Sequence, residues 1–279
     1  MRRKFLIGLG YFGFFVFGFL VCFYLTFDVG IIKSELENLT KGGNFQLSIN
    51  RLDKYRLSGF KAVGVKIRFP DSSTAIDIDQ IQARISVIPL IFGKKKVSFK
   101  VLLYGGKVSG MMSRGKRGFR AELSAQGLDL ARLKAQSDKG LTISGKVMSK
   151  VEINLFNLDN VKTWSGRIET GISSGRINNL SYLGASLPEI NFDQGKLNLE
   201  MKAGRAEIKT LELSSPDFPL MGQGLIEFRI PIENSLLNLE FKLSPSDSYL
   251  EQAEPLKTLL PGDGRVPYQG SLAGLLSAF

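Results

Sequence analysis

Apolar and polar residues alternate along most of the chain after residue 44. The period of two is clearest at residues 97–101, 197–201, 226–230 and 237–243, where every second position is hydrophobic. Alternation of this kind places one set of side chains on each face of a strand. One apolar face and one solvated face are typical of antiparallel sheets, because strands in parallel α/β sheets are apolar on both faces. The pattern predicts a mainly β protein with an elongated, curved, mostly antiparallel sheet.

The interruptions of this pattern predict the size of the sheet and one bend. Strands at a spacing of about 8–12 residues give roughly 18–22 strands, which at about 4.8 Å per strand would form a sheet of about 85–105 Å. Ile76 and Ile78 share one parity, whereas Ile81 and Ile85 share the other. A bulge or turn near residues 79–80 would bring both pairs to the same face.

A triplet of glycine, a basic residue and an aliphatic residue occurs six times without a fixed period. Its copies begin at Gly106, Gly145, Gly166, Gly175, Gly195 and Gly264. Glycine adopts the turn conformations that other residues avoid. The triplet therefore predicts a turn, a charged residue on the solvated face, and then the first buried residue of a strand.

Helical periodicity after the N-terminal region is confined to three short segments. In residues 28–43 apolar residues recur at helical spacing before two glycines, which predicts an amphipathic helix that caps the end of the sheet. Residues 130–135 and 249–260 are the other helix candidates, and the second ends before Pro261. No Pro/Ser-rich linker divides the chain, so we expect one elongated β domain.

Residues 5–27 contain no charged residue and directly follow Arg2, Arg3 and Lys4. As a helix at about 1.5 Å per residue this run would be about 35 Å long, enough to cross a hydrocarbon core of about 30 Å. The preceding basic residues favour a cytoplasmic N-terminus. We expect a cytoplasmic tail at 1–4, a transmembrane helix at 5–27, a juxtamembrane helix at 28–43 and a periplasmic β-rich domain at 44–279.

A cleaved signal peptide is the alternative reading of the N-terminal run. Its apolar region would be shorter, about 7–15 residues, and a small-residue cleavage site would follow it. Residues 22–27 offer no such site, and Cys22 lacks the small preceding residue expected of a lipidated cysteine. An uncleaved anchor that contains Cys22 is therefore the interpretation we adopt.

Composition excludes much enzyme chemistry. The chain has no histidine, and its one cysteine, Cys22, lies in the predicted span. A Ser-His-Asp triad, a Cys-His pair and a Cys/His zinc site are therefore impossible. We predict no enzyme activity and no catalytic, metal-binding or cofactor-binding residue, although paired carboxylates or a Ser-Lys dyad stay open as a third reading.

The net positive charge of the chain bears on which partners are expected. The formal net charge is +11, and it is +8 without Arg2, Arg3 and Lys4. Beyond the membrane, anionic lipid headgroups, an acidic partner protein or simple solubility explain a basic surface better than nucleic acid does.

Four local features have simple structural explanations. Gly8 to Gly13 spell G-x-G-x-x-G, but this run lies inside the predicted span, without the strand that a dinucleotide site requires. Asp77 and Asp79 are explained as surface acids of one strand rather than metal ligands. Lys94 to Lys96 are explained as a charged hairpin turn, with contact to phosphate headgroups as the alternative. Trp164, the only tryptophan, is expected in the core or an interface.

The stretch 81–110 resembles the signature of the AsmA-like superfamily. A strand leads into the corner Ile88 to Lys94 (IPLIFGK), and a second strand ends at Tyr104 to Val108 (YGGKV). The later half resembles, more narrowly, the N protein family of bacterial type II secretion systems, at residues 175–190, 224–237 and 268–273. The resemblance covers nearly the whole chain, but the proline usual after the last segment is missing from Gly274 to Phe279.

This resemblance implies a protein of the bacterial inner membrane that crosses it once and has no catalytic residues. It would act through protein contacts in assembly or stabilisation of the type II secretion apparatus. Its partners would be inner-membrane lipid and other secretion proteins. The wider superfamily implies an alternative, a phospholipid carrier whose apolar groove holds acyl chains between membranes.

Overall fold

The computed structural model describes residues 29–40, 45–56, 58–68, 75–115, 118–132, 142–157, 159–182 and 185–274. No helix within these ranges is long and apolar enough to cross a membrane. The predicted tail at 1–4, the predicted transmembrane helix at 5–27, the G-x-G-x-x-G run and Cys22 lie outside the described residues.

Thirteen strands form one open antiparallel sheet, so the expected mainly β, antiparallel class is confirmed. Each strand pairs with the next along the chain, except that β8 pairs with β11 because β9 and β10 form a separate hairpin. The strands are β1 (Gln46–Tyr55), β2 (Gly59–Arg68), β3 (Ala75–Ile85), β4 (Lys95–Leu103), β5 (Gly106–Gly115), β6 (Gly118–Asp129), β7 (Thr142–Leu155), β8 (Trp164–Asn178), β9 (Ser181–Tyr182), β10 (Ala185–Ser186), β11 (Ile190–Lys202), β12 (Arg205–Ser214), β13 (Leu220–Glu227), β14 (Leu236–Leu243) and β15 (Arg265–Ser271).

The described residues hold fewer strands than the 18–22 that turn spacing predicts. The reason is strand length: β7, β8 and β11 have 14, 15 and 13 residues, whereas a strand of about 5–6 residues is usual. Thirteen strands at about 4.8 Å apart extend about 60 Å across the sheet. The sheet is therefore taller along its strands and narrower across them than the sequence pattern suggests.

Among the described residues, four short α-helices accompany the sheet: α1 (Val29–Thr40), α2 (Val87–Ile91), α3 (Asp247–Gln252) and α4 (Glu254–Leu259). The helix predicted at 249–260 is confirmed as α3 and α4, with a break at Ala253. The candidate at 130–135 shows only a 3-10 turn, Leu130–Arg132, within the described residues. Alternation did not predict α2, which replaces the expected charged hairpin turn between β3 and β4 with a helical corner around Pro89.

The change of facing predicted near residues 79–80 is present, because Ile78 and Ile81 both contact the apolar cluster on β1–β3. It does not take the form of the expected bulge or turn, since β3 is unbroken and its register with β2 does not shift. It coincides with Gly64 of the neighbouring strand. Gly64 has a φ of +63° and lies between the facing pairs Val63–Gln80 and Val65–Ile78. A Cβ at Gly64 would approach the Asn50 side chain to 3.0 Å, closer than ordinary contacts. The change of facing therefore depends on a left-handed residue that only glycine adopts freely.

The hairpin interpretation of the glycine triplets is wrong for four of the six copies. Gly106 and Gly264 adjoin or begin strands, but the copies at Gly145, Gly166, Gly175 and Gly195 lie inside long strands. Gly175 shows why glycine occurs there, because a Cβ would lie 1.9 Å from the ring of Phe192. In this strand glycine makes room for a large side chain of the neighbouring strand rather than for a turn.

Buried apolar side chains form three clusters rather than one continuous core. The first lies on β1–β3, around Val65, and the second lies on β11–β14, around Ala206. The third lies where α3 and α4 cover the sheet, around Ile190 and Leu256. Between the first cluster and the other two, strands β4–β7 contribute one fully buried apolar residue among the described positions, Ala121.

Candidate interaction surfaces

One row of facing residues crosses twelve strands of the sheet and contains no charged residue. Register pairs connect it step by step from β2 to β15, and every member is apolar, aromatic or glycine. In order, the row is Phe60, Ala83, Phe99, Gly110, Leu123, Val151, Ile168, Leu199, Ile208, Gly224, Leu239 and Tyr268. The apolar face predicted from alternation is therefore continuous from β2 to β15, whereas on β1 Lys54 faces Phe60.

Burial along this row rises towards the C-terminus. Phe99, Leu123 and Val151 are half-buried, whereas Leu199 and Leu239 are buried. The neighbouring row repeats the difference: Met112 on β5 is 36% exposed, and Leu237 on β14 is 5% exposed. We call the apolar side of β4–β7 the open face, and we call β11–β15 together with α3 and α4 the filled half.

Two sets of contacts bury the apolar side chains of the filled half. The rings of Trp164 and Phe228 are 6.0 Å apart, although β8 and β13 are three strand spacings, or about 14 Å, apart in a flat sheet. This approach requires the sheet to curl, so that side chains from several strands fill its concave side. In addition, Tyr249 of α3 packs on Phe218 with ring centroids 5.2 Å apart and donates a hydrogen bond to the Pro188 carbonyl at 3.0 Å.

Of the described helical segments, only α2 and the 3-10 turn Leu130–Arg132 contact strands of the open face, β4 and β7 respectively. Helix α1 lies along β1, whereas α3 and α4 belong to the cluster around Ile190 and Leu256. Ser149 of the open face hydrogen-bonds to Thr170 of β8, hydroxyl to hydroxyl at 2.8 Å, and the charged residues Lys95 and Arg114 share this face at the ends of β4 and β5. Because these hydroxyls satisfy one another, the surface offers mainly apolar contact to whatever covers it.

The opposite face of the sheet is solvated and carries ion pairs between neighbouring or nearby strand positions. Their charged groups approach to between 2.8 and 3.8 Å, and the side chains are largely exposed. The pairs are Lys66–Asp77, Arg120–Glu122, Arg167–Glu169, Arg205–Glu227 and Arg265–Glu240. Exposed pairs of this kind contribute about 0–1 kcal/mol each, so this face favours solubility more than stability.

Side chains of α1 occupy the outer backbone groups of the edge strand β1. Thr40 Oγ1 accepts a hydrogen bond from the Leu47 N–H at 3.0 Å, and Glu37 Oε1 accepts one from the Ile49 N–H at 2.7 Å. Lys33 Nζ donates to the Asn50 carbonyl at 3.1 Å. The helix therefore lies along the edge of the sheet, not over its end as the sequence pattern predicts.

The other edge strand, β15, is also protected against pairing with a further strand. Hydrogen bonds at Gly264 and Leu272 connect even-numbered positions to β14, so the backbone groups of Arg265 and Pro267 point away from the sheet. Proline has no N–H to offer there, and the Arg265 N–H donates to Asp263 Oδ1 at 3.1 Å. Contacts with partners are therefore expected at the faces and turns of the sheet rather than at its edges.

The predicted minor motifs have ordinary surroundings. Asp77 and Asp79 are exposed on β3, and the described residues contain no group of three or more acidic or sulfur ligands that could hold a metal. Lys94 and Lys95 are exposed at the corner after α2. Trp164 is partly buried against the second cluster, and its Nε1 donates to the Asn157 carbonyl at 2.9 Å.

Two tyrosines have perturbed hydroxyl groups. Burial, with a smaller contribution from Asp217, raises the pKa of Tyr249 to about 12. Burial also raises the pKa of Tyr104, and the Tyr104 hydroxyl has no hydrogen-bond partner in the described structure. Both groups are neutral at physiological pH and neither lies near a second titratable group arranged as a base, so their roles are structural.

Sequence reasoning identified the corner at Ile88 to Lys94 but missed its helix, α2, and the exposure of its apolar side chains. Val87, Leu90 and Phe92 are exposed there, although they continue the apolar run after β3. One sequence feature could have predicted the end of the strand there. The apolar run no longer alternates with polar residues, and it includes Pro89, which a strand interior disfavours.

Comparison with family models, with curated proteins and with solved structures finds no match to this chain. The assignments to the AsmA-like superfamily and to the type II secretion N protein family stay predictions from the sequence. The structural observation available for a functional argument is the open sheet, with its continuous apolar row and its two protected edges.

Proposed function

We propose that the protein is a non-enzymatic, membrane-anchored component of bacterial type II secretion, placed in the periplasm and acting through protein contacts. The observation that carries the proposal is the open face of β4–β7. Phe99, Leu123 and Val151 form an apolar surface there, and no described helix covers them. Apolar surface that solvent reaches is usual at protein interfaces and costly to leave in water.

Partner binding through the open face agrees with the protection of both edge strands, β1 and β15. Side chains of α1 occupy the outward groups of β1, and Pro267 interrupts those of β15. Strand addition at an edge would need those groups free. A partner that covers the open face would instead bury side chains, so its contribution would come chiefly from the hydrophobic effect.

Site-specific photocrosslinking in cells tests the proposal on the full chain. Probes replace Phe99 and Val151 on the open face, and Lys100 and Glu152 serve as controls because they point to the opposite face of the same strands. We expect crosslinks to secretion-apparatus proteins from the first pair only. Equal crosslinking from both pairs, or crosslinks to unrelated proteins, would contradict the proposal.

A phospholipid carrier is the second candidate function, and the unbroken apolar row favours it. Twelve strands contribute to that row without one charged residue, and acyl chains need such a surface. Probes at Leu199 and Phe228 separate the candidates further. Both residues pack in the filled half, so a lipid path restricted to the open face would crosslink lipid at Phe99 and Val151 but not there.

Native mass spectrometry of the full chain in mild detergent gives an independent measurement. Bound phospholipid that disappears when Leu123 and Val151 are replaced by Asp would support the carrier. Lipid-free protein, together with crosslinks to secretion proteins, would support the apparatus component instead.

A further inference from the structure

The two ends of the sheet differ in charge. In an antiparallel meander, alternate connections lie at the same end of the strands. We call the end that contains the β1–β2, β3–β4, β5–β6, β7–β8, β11–β12 and β13–β14 connections the basic end, because the described residues of these segments include four basic and two acidic residues. The described residues of the connections at the other end, the acidic end, include two basic and six acidic residues.

Large exposed apolar side chains occur on three strand-to-strand connections of the basic end and on none of the described strand-to-strand connections of the acidic end, where Phe45, just before β1, is 42% exposed. Phe92 after α2 is 77% exposed and Phe156 after β7 is 60% exposed. Ile230 and Ile232 between β13 and β14 are also exposed. These residues belong to three separate connections distributed across the width of the sheet, so the feature is a property of the whole end.

Helix α1 begins nearer the basic end than it ends. Near its C-terminus, Thr40 bonds to Leu47 at the start of β1, whereas Lys33, nearer its N-terminus, bonds to Asn50 further along the strand. Glu37 lies between them and bonds to Ile49. The helix is thus antiparallel to β1, and its N-terminus points towards the β1–β2 connection. The uncharged run 5–27, predicted to cross the membrane, is attached to that N-terminus.

We propose that the basic end rests on the surface of an anionic bilayer, with Phe92, Phe156 and Ile232 at the level of the headgroups. Lysine and arginine near such a surface contribute about 1 kcal/mol each at low salt, and apolar side chains at loop tips add area buried in the interface. The strands then stand upright on the membrane and the apolar row runs parallel to it. The proposal rests on the predicted anchor but not on the identity of any protein partner.

Fluorescent labels on the full chain test this orientation. Cys22→Ser removes the native thiol, and single cysteines at Phe92, Phe156 and Ile232 receive an environment-sensitive dye. Controls at Met221, which is 60% exposed as Phe156 is, and at Ile143, which is 43% exposed, lie away from the basic end. The protein is reconstituted in vesicles of phosphatidylethanolamine and phosphatidylglycerol that contain lipids with a nitroxide at the headgroup.

We expect several-fold stronger quenching at all three basic-end positions than at both controls. Quenching at Phe92 alone would overturn the proposal, because the sheet would then extend away from the membrane beyond its N-terminal strands. Quenching equal at Met221 and Phe156 would overturn it as well.

Charge reversal separates a lipid surface from an acidic protein as the partner. Lys94→Glu combined with Arg229→Glu should reduce quenching at Phe92 and Ile232 in anionic vesicles, whereas Lys196→Glu with Lys242→Glu, on the solvated face, should leave it unchanged. Quenching that does not respond to the first pair, or that persists in phosphatidylcholine vesicles, would contradict the electrostatic part of the proposal. Crosslinking at the open face reports on the proposed function separately, so either proposal can fail alone.

Discussion

The open face and the filled half are built from the same sequence pattern, but they differ in burial. Val97, Phe99 and Val101 on β4 alternate with polar residues as regularly as Leu237, Leu239 and Phe241 do on β14. The first set is half-buried, whereas Leu237 and Leu239 are buried. Alternation therefore determines which face is apolar, and curling of the sheet and covering helices determine whether that face becomes a core.

The largest expected difference between the two regions comes from leucines in the same cross-strand row. Leu239→Ala removes a buried side chain of the filled half and should lower the free energy of unfolding by about 2–5 kcal/mol. Leu123→Ala on the open face should lower it by less than half as much, because solvent already reaches this side chain. Denaturant titration followed by Trp164 fluorescence measures both, and equal losses would show that the open face is as well packed as the core.

Alkaline pH should weaken the filled half through Tyr249. Its pKa is raised to about 12 from the ordinary tyrosine value of 10.0, so the unfolded chain ionises first and stability falls from about pH 10 until the folded group ionises. The loss attributable to this group amounts to about 2–3 kcal/mol. Tyr249→Phe should remove that part of the pH dependence in denaturant titrations, and an unchanged profile would contradict the assignment.

A third comparison between the two regions tests whether each has room for a larger side chain. Ala206 is fully buried between Met201 and Ile226, so Ala206→Leu should destabilise by about 1–3 kcal/mol through overpacking. Ala125 is only half-buried on β6, so Ala125→Leu should change the midpoint little. A comparable loss for both variants in thermal unfolding would mean that the open face has no free volume above it.

The smallest effects on stability are expected for ion pairs of the solvated face. Their coupling energies should be similar behind the open face and behind the filled half. Arg120–Glu122 and Arg205–Glu227 join their charges at 2.8 and 2.9 Å with similarly exposed side chains. Double-mutant cycles should give each pair less than about 1 kcal/mol, decreasing with salt. A clearly larger coupling for Arg205–Glu227 would extend the contrast between the regions to the polar face.

The sequence predicts the fold class and the faces well, because period and parity depend on neighbouring residues alone. The four positions that we expected on the apolar face, Phe99, Val151, Leu199 and Phe228, do lie there. The change of facing near residues 79–80 was also predictable, since Ile78 and Ile81 cannot share a face without it.

Other features depend on residues far apart in the chain and were not predictable from local pattern. Phe192 over Gly175, and Trp164 near Phe228, are contacts between strands. For this reason the sequence pattern predicts turns at glycines that lie inside long strands. It also predicts too many strands, because it assumes that each strand is short. The candidate surface was predictable as an apolar face, but its open and filled regions differ through α3 and α4, whose packing no alternation pattern contains.

The order of the strands in the sheet has a consequence for how the chain acquires its structure. Almost every strand pairs with the one made just before it, so a new hairpin needs only short loops to close, at small entropic cost. During synthesis from the N-terminus, each finished strand can serve as the template for the next, and no early strand waits for a late partner. Folding is therefore expected to be progressive and rapid for so large a sheet, and a truncated chain should keep the structure of its completed hairpins.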